Sequence, residues 1–310
     1  MISTQTSSSA TEATASLLSE LSNATFLGHA NHCRADFYTF DGAYHPMLMH
    51  LVCQLRDEAF QSVGITMSDS LATERADIDG TCRQLIVWDR TNNTIMGGYR
   101  YAIGRYVRPE QLPLAHHYRL SERFCKLFLP NGIELSRSFI NVTYQQRNNP
   151  LTLYALDSLW EALAQVVNAT STRYLFGRVS FYPSLGARAT NLVVGFMRHA
   201  FAPYDPLITA HYPLDIGISR LSFERIFQAE TQTRNYRTLL RLIHLMGRRI
   251  PPIVTSYMRL SPSMRTFDAY LNSDLGNITE AAIMLDMNDL YDDVKRRYNI
   301  HTVQQHVAIA

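Results

Sequence analysis

Four stretches of the chain carry apolar residues at three- and four-residue steps, the spacing that gathers them on one face of an α-helix. The first opens at Pro46 and runs through Leu48, Leu51, Val52, Leu55 and Ala59. In the second, Leu153, Leu156, Trp160, Leu163 and Val167 follow Asn148 and Asn149, two N-cap candidates, and Pro150, suited to a first helical position. Leu185, Ala189, Leu192, Val193 and Phe196 form the third, with Ser184 as its expected cap, and Tyr236, Leu239, Leu240, Ile243 and Met246 the fourth. Pro251-Pro252 opens a further helix reaching Leu260, and a short terminal helix is expected near Asn288 to Tyr298.

Strand patterns lie between these helices. Gln84–Asp89 and Thr94–Gly104 read as a hairpin turning at Arg90–Asn93, where Gly97 and Gly98 mark a bulge or a close backbone approach. Tyr174–Phe181 and Ile278–Met287 are further strands, the second closing a sheet. Residues 105–130 keep no clean period beyond a short helix over Leu120–Leu129, and the adjacent His116 and His117 are read as surface residues. The clearest alternation is Asn131–Tyr144: Ile133, Leu135 and Phe139 point one way, Glu134, Ser136 and Ser138 the other. Arg137 falls on the apolar side. An unpaired guanidinium is costly to desolvate there, so the pattern predicts a carboxylate partner.

Composition narrows the class. A chain of 310 residues, 46% hydrophobic and 18% charged, has enough apolar material to bury a core. Residues 1–21, rich in Ser, Thr and Ala, read as a disordered lead-in, 22–300 as a single domain and 301–310 as a tail. Cys33, Cys53, Cys82 and Cys125 form no CxxC pair, which argues against a disulfide framework and suits a reducing compartment, so a cytoplasmic location is expected. His29, His32 and Cys33 have ligand-like spacing, but no partner set follows and no metal is expected. A formal charge of +2 is too small to imply nucleic acid. No apolar run approaches the roughly 20 residues of a membrane span, which leaves peripheral membrane contact. Arg234, Arg237, Arg241, His244 and Arg248 make a basic helical face that fits an acidic carrier protein, anionic headgroups or plain solvent.

The string GIELSRSF at 132–139, followed by a strand exit and a helix, resembles the central strand and following helix of the GNAT superfamily. More narrowly, it is similar to the acyl carrier protein (ACP)-dependent N-acyltransferases of ornithine and glycine lipids, often labelled hemolysin-like. It also resembles the E-x-S/T-R-F element of the related acyl-homoserine-lactone synthases. LIVWD, IMGGYRY, LDSLWEALA, RYLFGRVSFYPSLGARA, PPIVTSYMRL and LGNITEAAIMLDMNDL fit in order, so the resemblance covers about 45–298 and lies nearest the bacterial glycine-lipid type. It implies an α/β fold: a GNAT-like mixed central sheet flanked by helices, with an added helical C-terminal region. Two parallel strands would splay apart to admit a pantetheine arm.

The implied reaction is transfer of a long, 3-hydroxylated acyl chain from ACP to the α-amine of a small amino acid, glycine before ornithine, as the first step of an aminolipid. No cofactor would be held permanently; the 4'-phosphopantetheine-linked thioester arrives as donor substrate. Such chemistry needs a base, oxyanion donors and a grip on the carrier arm. Glu134 is the candidate base, although it reads equally well as a structural glutamate bonded to backbone or Ser136. Tyr144 would protonate the leaving thiolate, and backbone N–H groups at Phe139, Ile140, Asn141 and Val142 would serve the oxyanion if the strand bulges there. Arg56 and Phe60, spaced R-x-x-x-F, resemble an acceptor-pocket element, and Arg100 matches a G-x-x-R pattern. Arg100 and Arg137 are expected to cluster with Asp77 or Asp79, and Ser136 completes the substrate-binding set. Where CoA-using relatives carry glycines for a pyrophosphate, this chain has Gln145–Pro150. That suits the single phosphate of an ACP arm, met by Arg147. Arg234, Arg237, Arg241 and Arg248 would dock the carrier. Two rivals stand beside this reading: an acyl-homoserine-lactone synthase-like enzyme, and a non-catalytic lipid- or carrier-binding protein on the same fold.

Overall fold

The computed structural model describes residues 5–65, 74–146, 149 and 151–303. In chain order the regular elements begin with α1 (Gln5–Asn23), β1 (Thr25–His29), β2 (Ala35–Phe40), α2 (Pro46–Gln61) and the single turn α3 (Arg75–Ile78). Then come β3 (Arg83–Asp89), β4 (Thr94–Ile103), β5 (Tyr118–Leu120), β6 (Gly132–Ile140), α4 (Thr152–Thr170), β7 (Tyr174–Phe181) and α5 (Ala187–Ala200). The last third holds β8 (Ile208–Ala210), α6 (Arg220–Ile226), α7 (Gln232–Leu245), α8 (Pro252–Leu260), β9 (Arg265–Asn272), β10 (Ile278–Asp286) and α9 (Asp292–Tyr298). This is an α/β fold with mostly antiparallel strands, helices against them and a helix-rich C-terminal third. The chain forms two compact units, and β6 is shared between them: Gly132–Leu135 counts with the second and Ser136–Ile140 with the first.

In the first unit β1, β2, β3 and β4 are antiparallel neighbours, and β6 follows β4. Gly97 and Gly98 admit that last contact. A Cβ on Gly97 would lie 2.7 Å from the Phe139 carbonyl oxygen, and one on Gly98 would lie 3.0 Å from the Phe139 ring. The apolar stripe of α2 packs here, with Leu48, Val52, Leu55 and Ala59 buried against Phe40, Ile86, Trp88, Ile95 and Phe139. Helix α1 occupies much of the segment whose composition suggested a lead-in. Its Leu17, Leu21 and the following Ala24 join that core, and both Glu20 oxygens cap α2 through Met47 N–H at 3.1 Å and Leu48 N–H at 2.9 Å. Asn149 is the observed cap of the helix after β6, accepting from Leu151 N–H at 2.9 Å. Asn148 and Pro150 lie outside the described residues.

In the second unit the first half of β6 runs parallel to β7, from Gly132 opposite Tyr174 to Leu135 opposite Gly177, and β7 continues against β10, then β9. Beyond Gly177 the described register of β7 is with β10 alone. A Cβ on Gly177 would stand 2.2 Å from the Leu135 carbonyl oxygen, so only glycine lets the two backbones come this close.

Several local expectations are corrected. Ser184 sits inside a turn, Pro183–Leu185, and α5 starts behind Gly186, whose φ of 81° suits glycine and which supplies no side-chain cap. Leu120–Leu129 is not one short helix: it begins in β5, which pairs with β8, and continues as a π-helical turn over Phe124–Phe128. His117 is half-buried and stacks on Tyr270 with ring centroids 4.6 Å apart, so only His116 is a surface residue.

Candidate active site

The first unit assembles an alternating array of charges from four elements. Asp77, on α3 and fully buried, receives Arg56 of α2 at 3.1 Å, Gln84 of β3 at 2.9 Å and Arg100 of β4 at 3.4 Å. Arg100 also donates through Nη1 to Glu74 at 2.6 Å and through Nε to the Ser136 hydroxyl at 3.0 Å. Glu74 in turn accepts from Arg137 Nε at 2.6 Å. Two short-range features place Glu74. It precedes α3, and its N–H donates to Asp77 Oδ2 at 3.0 Å, a reciprocal cap that locks the two carboxylates together.

Burial sorts the members. Arg56 and Arg100 are 2% and 1% exposed, whereas the Arg137 and Glu74 side chains are 15% and 28% exposed, so the array opens to solvent at that end. Burial alone would raise Glu74, but the Arg100 and Arg137 guanidiniums override it and hold the carboxyl at about 2. Asp77 is likewise lowered, its burial outweighed by Arg56 and Arg100. Asp57, next to Arg56 on α2, behaves oppositely. Burial pushes it up against the pull of Arg56 and Arg137, and its Oδ1 is buried with no hydrogen-bond partner among the described residues.

The sequence predicted a carboxylate for Arg137, and it has one. That partner is Glu74, which the sequence reading missed, though Glu74-x-x-Asp77 has capping-box spacing. Asp79 is elsewhere, accepting from Thr81 N–H at 2.9 Å and standing 3.7 Å from the exposed Arg75. Arg137 adopts φ 51°, the left-handed region, and this breaks the pleat. As a result Phe139 packs with Ile86 and Trp88, on the side where Ser136 meets Arg100, instead of opposite Ser136 as strict alternation required. The irregularity lies at Arg137 and not at 139–142. There, Asn141 N–H is committed to the Met96 carbonyl at 2.9 Å, while the Asn141 side chain bonds Ile95 O and Thr143 N–H at 3.0 Å each. Ile140 carries a carbonyl that accepts from Gln145, and Val142 and Phe60 pack on the α2 core.

Tyr144 is also committed. Its hydroxyl donates to Asp89 Oδ2 at 2.7 Å, and burial together with that carboxylate pushes it well above an ordinary tyrosine. A phenol so held is a poor proton donor to a thiolate. Arg147 lies outside the described residues.

Glu134 belongs to the second unit, 1% exposed, with Arg178 of β7 as a charge in its field. In the same unit Arg234, Arg237, Arg241 and Arg248 are exposed along and just after α7, and none has a carboxylate within ion-pair distance among the described residues. Arg248 donates to the Ser184 carbonyl at 3.0 Å.

One set of donors in the first unit has a cation-like composition. A ligand atom from each of His32, Asp157 and Glu161 falls within 4.8 Å of the others. Asn31 already donates to both Glu161 oxygens at 3.0 Å, fastening the β1–β2 loop to α4. No helix among the described residues is long and apolar enough to cross a membrane.

Residues 55–155, which hold the charge array and the strand that supplies Glu134, match the acetyltransferase (GNAT) domain family. The molecule is an acyltransferase of that class. The glycine N(alpha)-acyltransferase of Phocaeicola vulgatus is 32% identical over 298 residues, 94% of this chain and 91% of that protein. The protein of the same name from Bacteroides thetaiotaomicron is also 32% identical, over 94% and 88%. The chain therefore belongs to the glycine N(alpha)-acyltransferase family. A solved CoA-dependent acyl-homoserine lactone synthase, BjaI, aligns over 86% of this chain and 90% of its own at 11% identity, with a TM-score of 0.37.

Proposed function

We propose that this acyltransferase moves a long, 3-hydroxylated acyl chain from ACP to the α-amine of glycine, with ornithine as the second acceptor, making the lyso-form of an aminolipid. The charge array carries the acceptor half of this reading. Three guanidiniums, from Arg56, Arg100 and Arg137, face the carboxylates Glu74 and Asp77, with Asp57 in the field of Arg56 and Arg137, and the array opens to solvent at Arg137. A small amino acid offers a carboxylate to that end, and a planar guanidinium suits it. The names of the relatives support glycine first.

Glu134 is the proposed base. It takes one proton from the attacking ammonium, directly or through a water; the neutral amine adds to the thioester carbonyl, the C–S bond breaks, and the second proton lost from nitrogen on amide formation passes through solvent to the departing carrier thiolate. The edge of β7 beyond Gly177 supplies backbone groups for the amides of a pantetheine arm. The exposed arginines of α7 offer an acidic carrier its docking charge, and they or the anionic headgroups of a membrane would hold the enzyme near its product's destination.

The test is direct. Purified protein is given 3-hydroxypalmitoyl-ACP, palmitoyl-CoA as competing donor and a pool of amino acids, and N-acyl products are read by mass spectrometry. N-acylglycine formed from the ACP donor supports the reading; product from the CoA donor alone overturns its donor half, and silence from protein that binds acyl-ACP favours a binding role.

A further inference from the structure

Three consecutive residues of the β1–β2 loop meet one face of α4 in the first unit. Asn31 donates to both oxygens of Glu161, its N–H to Oε2 and its Nδ2 to Oε1, at 3.0 Å each. The His32 ring stacks on Tyr154, with centroids 6.2 Å apart. Cys33 Sγ lies 3.4 Å from Ser158 Oγ. Positions 154, 157, 158 and 161 follow three- and four-residue steps, so Asp157 falls among these contacts on the same side of the helix. There one ligand atom each from His32, Asp157 and Glu161 lies within 4.8 Å of the others. Two observations beyond proximity point to a cation. Glu161 is 5% exposed, and no Lys, Arg or His stands within ion-pair distance of it among the described residues. Asn31 satisfies its hydrogen bonding but brings no charge, and Asp157, one turn away, adds a second carboxylate to the same face. The His32 ring is exposed, and neither of its nitrogens has a hydrogen-bond partner among the described residues.

We propose that His32, Asp157 and Glu161 bind one zinc ion, which fastens the β1–β2 loop to α4. An imidazole and two carboxylates, one of them oriented by an outer hydrogen bond from Asn31, form a nitrogen and oxygen set suited to that metal. Bonds of about 2.0–2.2 Å place tetrahedral ligand atoms about 3.3 Å apart, so the exposed His32 closes on the ion by a rotamer change and water fills the fourth position. The ion neutralises the charge that Glu161 carries into the interior. The neighbours with ligand-like spacing in the sequence are engaged otherwise: His29 Nδ1 is 2.7 Å from Asp36 Oδ1, and Cys33 is turned to Ser158. The partner set for His32 comes instead from a helix far along the chain, where a four-residue step puts two carboxylates on one face. None of the three ligands belongs to the Glu74–Asp77 charge array, so the ion's work is to hold the loop.

The experiment is calorimetric titration of the full chain, stripped with a chelator and kept reduced, with zinc chloride, together with thermal unfolding in the presence and absence of the metal. One equivalent binds, and saturating zinc raises the unfolding midpoint by several degrees, because an ion that binds the folded chain alone stabilises it. His32→Ala and Asp157→Asn each weaken binding by about tenfold or more and remove the rise in midpoint, whereas His29→Gln and Cys33→Ser leave both within about twofold of the starting protein. Absence of binding overturns the proposal, and so does binding that His32→Ala leaves unchanged. Zinc whose binding falls with Cys33→Ser and not with His32→Ala is held by a thiol at an adventitious site, which also overturns it. If Asp157→Asn does not fold, His32→Ala decides alone, since an exposed ring with no hydrogen bond among the described residues is not needed for folding without the metal.

Discussion

Arg137 reaches Glu74 at 2.6 Å from a backbone turned to φ 51°, a conformation that costs an arginine about 1 kcal/mol or more. The ion pair and the array behind it hold that conformation in place. Glu74 thereby becomes the hinge of the network, the only carboxylate shared by Arg100 and Arg137 among the described residues.

Glu74→Gln is expected to lower kcat/KM for the amino-acid acceptor by about tenfold or more, chiefly through KM. It also carries a pH signature. The folded-state value of about 2 lies below the ordinary 4.5, so the stabilisation is fully present above 4.5 and disappears as pH falls toward 2. The shift corresponds to at most about 3 kcal/mol. Denaturant unfolding at pH 7 and at pH 3 should show a gap between wild type and variant that narrows at the lower pH.

Tyr144→Phe should leave turnover within about twofold and cost ~1 kcal/mol of stability. Asp89 loses one donor but keeps Thr91 N–H at 2.7 Å and Asn92 Nδ2 at 2.7 Å. A large fall in kcat with stability unchanged would restore the tyrosine as a proton donor.

Arg237→Glu with Arg241→Glu should raise KM for acyl-ACP several-fold at low salt and less at high salt, with kcat for saturating donor preserved. Steady-state kinetics across ionic strength checks this. Donor dependence equal to wild type would mean that these exposed arginines are only solvated.

Gly177→Ala should destabilise the protein by ~2 kcal/mol, because the new methyl group meets a backbone oxygen, not a movable side chain. Chemical unfolding monitored by circular dichroism gives the value directly.

Helices α2, α4 and α8 and the β3–β4 hairpin were legible because one face of each meets a core, and burial imposes a period on the sequence; in the stripe read for α7, Leu239 and Ile243 are buried while Leu240 and Met246 are exposed. β2 was not: five of its six residues are buried, so Ala35–Phe40 shows little alternation to read. β9 was passed over although Ser261-Pro262-Ser263 form a turn just ahead of it. At the site, Arg56 and Arg100 were named from motif spacing, Arg137 from its place on the apolar side of β6, and Asp77 as one of two alternatives with Asp79. Glu74 escaped because it acts from a loop, where no period marks a residue, and Asp79 stood as the alternative to Asp77 because two aspartates beside a strand look alike in one dimension. The side of β6 on which Phe139 lies was misjudged for a different reason: alternation assumes an unbroken pleat, and a left-handed arginine gives no warning in composition.

That same residue uncouples the strand's parity from its length. Deleting Arg137 would leave Ser136, Ser138 and Phe139 in plain two-residue alternation, with Phe139 still on the Ser136 side in the Ile86–Trp88 core. Forcing the position back into an extended pleat, with a β-branched residue that resists a positive φ, would instead turn Phe139 away from α2. The facing of the strand's second half is thus held by one backbone angle and not by a residue count.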